Sequence, residues 1–343
     1  MTDNGAGRPP VLGDVARLAG VSVPTVSRVL TGSKPVGDEL RERVLNAVRE
    51  LEYHPNNAAR ALVSGRRSMI SVLSGGTANY GYARTLEGLE SAAREAGMTV
   101  AITVVESDDE DIVAATLALA LGQPIAGVVV LEFDRPGLAA ARALPMHVPA
   151  VMAGGGAARE GDRPYALIDE AAGARALTEH LLGLGHRTVH HVAGPSEGKV
   201  SPRTEGWRDT LRAHGKDVPE TLHADWHPRS GYEAGALLAS RTDVTAVLCG
   251  NDDIAIGVIS ALDDHGLRVP EDVSVVGFDD QPYADFWKPS LTTARQDFDD
   301  LGARAFAQLQ RLMSGEAAAG SVVAPALVVR GSSGPAPAVS RPS

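Results

Sequence analysis

Three polar side chains near the N-terminus have the chemistry needed to contact a nucleic acid. Thr25, Ser27 and Arg28 lie within four residues of a helical pattern, away from its apolar positions. A hydroxyl can donate to or accept from a base edge, and a guanidinium can donate two hydrogen bonds to guanine. Arg28 could equally clamp a phosphate, which positions a protein without specifying sequence. The pattern therefore predicts contact with double-stranded DNA and leaves the role of Arg28 open.

Two short helices must position these side chains. Gly20 supplies the backbone freedom for a tight turn between them, Ser22 can cap the second helix, and Pro24 suits its first turn. This pattern predicts a helix-turn-helix, whose second helix is the right size to enter the major groove. The apolar faces consist of Val15, Ala16 and Ala19 on the first helix and Val26, Val29 and Leu30 on the second.

A third helix and a short segment follow. Residues 38–51 place an apolar stripe along one helix face, consisting of Leu40, Val44, Ala47, Val48 and Leu51. Pro55 ends this helix, and either Asn56 or Asn57 can cap a further helix over about 57–64. That helix is too short to persist alone in water. We therefore expect a hinge that forms only against a partner or DNA.

Charge is distributed unevenly along the 343 residues, whose net charge is −11. Residues 1–67 hold ten Lys and Arg against seven Asp and Glu, whereas the remainder holds 22 against 36. A basic head on an acidic body is typical of a DNA-binding protein with a separate effector domain. The single cysteine, Cys249, excludes an internal disulfide and favours a cytoplasmic location. Residues 1–10 lack an apolar core, which predicts a disordered lead and no signal peptide, and no apolar run predicts a transmembrane helix.

Beyond residue 68, short apolar strands alternate with amphipathic helices. This alternation predicts parallel sheets with right-handed crossovers, and its length of about 260 residues indicates two lobes. The tail, 334–343, is rich in Pro, Ser and Ala and is expected to be disordered. The predicted strands are 69–73, 99–105, 127–131, 150–153, 165–168, 188–193, 246–249 and 273–278, and the helices include 84–96, 171–183, 201–214, 230–241, 252–265 and 299–314.

Motifs that would indicate catalysis are weak. Gly154–Gly156 does not open a helix as a dinucleotide-binding loop would. His190 and His191 are adjacent in a strand, so their side chains point to opposite faces and cannot both bind one metal. Cys249 has apolar neighbours and is expected to be a core residue. We therefore expect no catalytic residues, no metal and no cofactor.

An ordered series of motifs resembles the lac repressor (LacI–GalR) family of bacterial transcription regulators. The series runs from about residue 11 to 333, and its length makes it far more specific than a helix-turn-helix alone. The matching segments are 14–16, 20–22, 25–30, 51–56, 59–62, 183–186, Arg203 with Gly206–Trp207, Asn251–Asp252, 266–280, 289–293 and 327–330.

The resemblance implies an α/β protein with an N-terminal three-helix helix-turn-helix head over 11–55. A hinge helix and linker over 56–67 follow, and then a two-lobed parallel α/β body over 68–333, like periplasmic sugar-binding proteins. Three chain crossings join the lobes, which we place at 68–166 with 298–325 and at 167–297 with 326–333. The family further implies a homodimer that binds a pseudo-palindromic operator.

The resemblance also assigns residues to DNA. Val23 and Pro24 stand where relatives vary to select their operator, and their apolar side chains can contact thymine methyl groups. Leu62 matches a hinge leucine that wedges into the minor groove, although it could instead pack the hinge pair. Lys34 and Asn56 complete the predicted DNA-binding set. Val11 replaces a capping threonine that is usual in relatives.

A second set of residues matches the effector-contacting positions of the family. A carboxylate, a guanidinium and an amide suit sugar hydroxyls, and aromatic faces suit the C–H surface of a pyranose. The alternatives are a structural ion pair for Arg203 and Asp279 and core packing for Trp226. The loop of Asn79 departs from the family pattern, so no relative's effector can be transferred. The predicted effector-binding residues are Asn79, Tyr80, Tyr82, Arg203, Trp226, Asn251, Asp279, Gln296 and Phe298.

These features together predict a DNA-binding transcriptional regulator that responds to a small molecule. The favoured hypothesis is a repressor of carbohydrate-utilisation genes that a sugar inducer releases from DNA. The main alternative is a regulator that needs a purine-like corepressor. A sugar-binding protein or an enzyme with the same body fold is less favoured, because the head is intact and no leader is expected.

Overall fold

The computed structural model describes residues 10–31, 35–53, 67–157, 163–195 and 200–338. Its internal contacts divide the chain into two units, residues 1–68 and 69–343. The predicted hinge helix and the predicted DNA-binding residues Lys34, Asn56 and Leu62 lie outside the described residues.

Three helices form the first unit: α1 (Leu12–Ala19), α2 (Val23–Thr31) and α3 (Asp38–Glu50). The predicted apolar faces of α1 and α2 meet those of α3 in one small core, which confirms the helix-turn-helix. The prediction that Leu40 belongs to the apolar stripe is wrong, because Leu40 is 38% exposed and is not part of this core. It lies in the first turn of α3, one turn before Val44, where the apolar contacts begin. The buried core residues are Val15, Ala16, Ala19, Val26, Val44, Ala47 and Tyr53.

The turn between α1 and α2 has the backbone conformation expected of Gly20, with a φ of 63°. Arg43 of α3 donates to the carbonyl oxygen of Ala19 at 2.6 Å and so ties the third helix to the turn. At the start of α1, the backbone N–H of Val11 donates to Asp14 Oδ2 at 3.0 Å. Asp14 thus supplies half of a capping box at a helix start where Val11 has no capping side chain.

The second unit contains two six-stranded sheets. The first sheet has the order β11-β5-β4-β3-β1-β2 and is parallel throughout. Two helices cover each face, α4 with α11 on one and α5 with α6 on the other. Its strands are β1 (Met69–Ser74), β2 (Thr99–Val104), β3 (Val128–Leu131), β4 (Ala150–Gly155), β5 (Tyr165–Ile168) and β11 (Ser321–Val323), and its helices are α4 (Tyr80–Glu95), α5 (Glu110–Leu121), α6 (Arg135–Ala143) and α11 (Phe298–Met313). We call this assembly the first lobe.

The second sheet has the order β12-β10-β9-β8-β6-β7. All its pairs are parallel except β10 with β12. Helices α7 and α8 cover one face, and α9 and α10 the other. The strands are β6 (His190–Ala193), β7 (Leu222–His223), β8 (Ala246–Cys249), β9 (Ser274–Asp279), β10 (Thr292–Arg295) and β12 (Ala326–Val328), and the helices are α7 (Glu170–Gly183), α8 (Pro202–Ala213), α9 (Pro228–Ala239) and α10 (Asp252–Asp264). We call this assembly the second lobe.

The chain passes between the lobes three times: from β5 to α7, from β10 to α11 and from β11 to β12. Strand β5 continues to Ile168 in the first sheet, so the first crossing follows Ile168, close to the boundary of about 166 that we placed from the sequence. The first and third crossings contact each other, because Asp169 N donates to Val323 O at 2.9 Å. Within the described segments, no helix is long and apolar enough to cross a membrane.

The prediction of a disordered tail starting at residue 334 is wrong for the first residues of that segment. Gly334 N donates to Ser274 Oγ at 3.0 Å, and Ala336 N donates to Leu184 O at 3.0 Å. His186 Nε2 lies 3.2 Å from the carbonyl oxygen of Gly334. Residues 334–338 are therefore part of the second lobe, because their backbone groups have partners there despite the Pro- and Ala-rich composition. Residues 339–343 lie outside the described part of the chain.

Truncation tests this attachment. Removing 334–343 should lower the free energy of unfolding by about 1–3 kcal/mol, because backbone hydrogen bonds of Gly334 and Ala336 are lost. Removing only 339–343 keeps these hydrogen bonds and is the matched control. Urea denaturation of both truncated chains measures the difference, and equal stabilities would contradict the assigned contacts.

Candidate functional site

A cavity of about 1860 Å³ opens between the two lobes and extends along the first lobe beside α5 and α6. Its second-lobe wall is built where β6, β8 and β9 end, which is where parallel α/β sheets bind ligands. Eight of the nine predicted effector-binding residues line it: Asn79, Tyr80, Tyr82, Arg203, Trp226, Asn251, Asp279 and Phe298. Their contact with an effector remains a prediction.

Arg203 lies at the centre of the second-lobe wall, with its side chain only 12% exposed. Its Nη2 and Nε contact Glu170 Oε1 at 2.6 and 3.1 Å, whereas Asp279 Oδ1 is 3.7 Å from Nη1. The Arg203 guanidinium carbon lies 4.3 Å from the ring centre of Phe278 and 5.5 Å from that of Trp226. Burial opposes its charge, but Glu170 and Asp279 raise the pKa of Arg203. The guanidinium is thus a fixed, buried cation.

Asp279 ends β9 beside this cation and is buried. Gln296 Nε2 donates to Asp279 Oδ1 at 2.6 Å. Burial raises the pKa of Asp279 to about 7, although Arg203 and Gln296 each act to lower it. Near neutral pH this carboxyl group therefore exists in both forms, so it can donate to or accept from a ligand hydroxyl.

Asn251 has a divided role. Its Oδ1 accepts from Ile254 N at 2.9 Å and so caps α10, the helix that begins at the cavity. With the oxygen engaged by the helix, the amide nitrogen is the group available to donate.

Aromatic rings form much of the first-lobe wall. Tyr80, Phe133 and Phe298 make edge-to-face contacts, with ring centres 5.9 Å apart for Tyr80 and Phe298 and 6.2 Å apart for Phe133 and Phe298. Tyr82 packs on Phe133 at 5.0 Å and donates its hydroxyl to Asp134 Oδ2. The hydroxyl of Tyr82 therefore already has a protein partner. The wall combines apolar faces with a fixed carboxylate at its rim.

Trp226 faces this wall from the second lobe and packs partly on the second-lobe core. Its ring approaches the backbone of Gly194 so closely that a Cβ at position 194 would lie 2.3 Å from ring atoms. Only glycine fits there. Trp226 therefore packs on the core, which is one of its two predicted roles, and also lines the cavity, whereas its contact with an effector stays a prediction.

Some residues of the site differ from the expectation or were missed. Gln296 is not part of the cavity wall but lies behind Asp279 as its hydrogen-bond donor. Glu170 and Phe133, which line the cavity, were missed. Both follow the end of a strand in the first sheet, and that position was the available signal.

Of the two adjacent histidines, only His191 borders the cavity. His190 and His191 are both buried. His191 Nδ1 lies 2.9 Å from Leu248 O, and burial lowers the pKa of His191 to about 4. Among the described residues, no three His, Cys, Asp or Glu side chains are grouped to hold a metal ion.

The outer face of α2 carries the predicted DNA contacts. Val23, Pro24, Ser27 and Arg28 are exposed, and Thr25 is half-buried. Thr25 Oγ1 lies 2.9 Å from Ser22 Oγ, so this hydroxyl also stabilises the start of the helix. The face combines an arginine and hydroxyls with a small apolar step at Val23 and Pro24, which suits a DNA groove.

Known proteins share this organisation. Residues 11–56 match the family described as bacterial regulatory proteins, lacI family, and residues 178–333 match the periplasmic binding protein-like domain. The lactose operon repressor of Escherichia coli (strain K12) is 31% identical over 326 residues, which cover 94% of this chain and 90% of that protein. The chain belongs to the lacI family.

A second lacI-family member and a solved structure of the lac repressor are also similar over most of their length. The HTH-type transcriptional repressor PurR of Klebsiella pneumoniae (strain 342) is 32% identical over 302 residues, covering 86% of this chain and 88% of that protein. A crystal structure of the lac repressor dimer bound to operator and the anti-inducer ONPF superposes with a TM-score of 0.84 at 30% identity, covering 95% of this chain and 99% of that one. This lacI-family protein is therefore a ligand-responsive, DNA-binding transcriptional regulator, and the relatives named are regulators rather than enzymes.

The raised pKa of Asp279 makes a testable difference to stability. The folded protein holds this proton up to about pH 7, whereas an ordinary aspartate loses it near 3.8, so folding stability falls as pH rises between these values. Asp279→Asn cannot ionise and escapes this loss. Urea denaturation at about pH 5 and about pH 8 should show the variant gaining stability relative to the native chain at the higher pH. A difference that does not change with pH would contradict the buried carboxyl group.

Proposed function

We propose that this lacI-family protein represses carbohydrate-utilisation genes and is released from its operator by a sugar inducer. The observation that carries the proposal is the cleft chemistry, in which Arg203, Asp279 and Asn251 face aromatic rings of the opposite lobe. These polar groups suit hydroxyls that donate and accept, and the rings suit a pyranose C–H face. The lactose operon repressor is a relative whose name indicates such a role.

Three features support repression through a dimer in the cytoplasm. The head has a net charge of +3 and the remainder −14, so electrostatic attraction to DNA is concentrated in the head. The second lobe exposes an aromatic pair, with Phe286 81% and Trp287 36% exposed. Such surfaces mark protein–protein contacts, and a second copy would also pair the heads on a two-fold symmetric operator. The single, buried Cys249 supports a reducing compartment.

Release from DNA needs only a modest energy. Closure of the cleft around the inducer would change the relation of the two lobes, and in a dimer this would move the heads apart. A coupling of about 1–3 kcal/mol changes operator affinity about 5–150-fold. One or two hydrogen bonds made only in the closed form supply that difference.

A purine corepressor is the second candidate. The ring of Trp226 and the Arg203 cation suit a flat heteroaromatic base, and PurR is among the relatives. The two proposals differ in sign, because an inducer weakens operator binding and a corepressor strengthens it. Operator affinity measured with glucose, galactose, lactose or cellobiose, and separately with hypoxanthine, decides between them.

Arg28→Ala tests sequence reading by the head. If Arg28 donates to a base edge, discrimination between operator and random DNA should fall by about 1–3 kcal/mol. The operator is first selected from random DNA, and affinities are then measured by fluorescence anisotropy at fixed salt. Arg17→Ala, an exposed arginine on α1, is the matched control. Equal weakening on both DNAs would make Arg28 a phosphate contact.

Arg203→Ala tests the effector cleft. Loss of the buried guanidinium removes a donor and leaves Glu170 and Asp279 unpaired, so the ligand effect on operator affinity should disappear. The active sugar or hypoxanthine is titrated against the protein–operator complex, and melting temperature is recorded in parallel. A variant that responds at an unchanged ligand concentration would place the effector elsewhere.

A further inference from the structure

Asp279 begins a turn with an unusual backbone. Its φ is 109°, and that of the next residue, Asp280, is 60°. L-residues rarely adopt such angles, and two in succession persist only where surrounding contacts enforce them. The turn directs Asp279 into the cleft and Asp280 away from it, so whatever holds Asp280 also orients the cleft carboxylate.

Two arginines hold Asp280. Its Oδ2 accepts from Arg295 Nε at 2.6 Å, and its Oδ1 lies 2.6 Å from Arg330 Nη1. The two arginines differ in exposure, because Arg295 is 56% exposed and Arg330 only 10%. Charge pairs exposed to water contribute little, whereas a buried pair is costly to break. Removing Arg330 is therefore the more costly change, although the contact with hydrogen-bond geometry is the one from Arg295.

Arg330 also fastens the segment that follows the turn. Its Nε donates to Asp285 Oδ1, and its Nη1 donates to Leu291 O at 2.9 Å. Its own backbone N–H donates to Thr292 Oγ1 at 2.8 Å, beside the start of β10. One side chain, two residues beyond β12, thus spans the whole loop between β9 and β10. None of these contacts reaches the cavity.

We propose that Arg330, acting through Asp280, is a positioning residue that sets the orientation of Asp279 for effector recognition. This inference rests on the proposed function of the cleft. Arg330 does not line the cavity, so its effect on the effector is indirect. Without its guanidinium the turn relaxes to ordinary backbone angles, and Asp279 leaves its place beside Arg203 and Gln296.

The first experiment needs no effector. In protein carrying ¹³C-carboxyl aspartate, the Asp279 signal is identified by its loss in Asp279→Asn, and its titration is followed by NMR. We expect the native carboxyl group to titrate near 7 and that of Arg330→Gln to titrate closer to 3.8, because it has left its buried site. The control is Arg268→Gln, which removes an arginine that pairs with Asp272 at 2.8 Å in the same lobe and is 70% exposed. An Asp279 titration unchanged in Arg330→Gln overturns the proposal.

A second series separates positioning from general stability. Asp280→Ala and Asp280→Gly both remove the carboxylate, but glycine adopts a φ of 60° without strain. We expect Asp280→Gly to keep more of the native Asp279 titration than Asp280→Ala. If Arg330→Gln fails to fold, this pair decides by itself. If the melting temperature of these variants falls but the Asp279 titration does not shift, Asp280 has a structural role only.

The final measurement links positioning to response. Sugars and hypoxanthine are titrated against the operator complexes of Arg330→Gln, Arg268→Gln and Asp279→Asn. We expect Arg330→Gln to need about tenfold more of the active compound, which corresponds to about 1.4 kcal/mol, at unchanged operator affinity without it. If Arg330→Gln responds normally while Asp279→Asn has lost its response, the positioning role of Arg330 is overturned, but the proposed effector site is not. A normal response in Asp279→Asn overturns the proposed effector site.

Discussion

A buried guanidinium at the junction of the lobes is the constraint on which the cleft depends. Arg203 has lost most of its water, so its charge must be balanced by protein groups. Glu170 from the first crossing and Asp279 from β9 provide that balance, and the Gly250 carbonyl accepts a further hydrogen bond. The cation thereby joins three chain segments that are far apart in sequence.

Much of this organisation could be predicted, because local patterns determine it. The head follows from apolar spacing and from a single glycine, Gly20, whose φ of 63° is one that other residues rarely adopt. The central strands β1, β3 and β8 follow from short apolar runs between amphipathic helices. The cleft residues Arg203 and Asp279 came from motif resemblance, since their distance in sequence conceals that they meet.

What could not be predicted depends on partners that only the fold brings together. Glu170 is one of 43 acidic residues, and nothing near it in sequence marks it as the partner of Arg203. The edge strands β11 and β12 have three residues each, too few to show a period. The composition of the C-terminal segment indicates disorder, yet Gly334 finds its hydrogen-bond partner 60 residues earlier at Ser274. Leu40 fits the stripe of α3 but is 38% exposed and does not belong to the core of the head.

The three crossings also limit how the lobes can move. A single connection would let one lobe swivel freely, whereas three connections, two of them joined through Asp169 and Val323, resist twisting. Bending of all three together is the motion that remains, as in hinged two-domain proteins. The angle between the two lobes in the closed form is then set by the molecule that lies between them. Molecules of different size would leave the same two rigid lobes at different angles. A graded regulatory response therefore needs no conformational change inside either lobe.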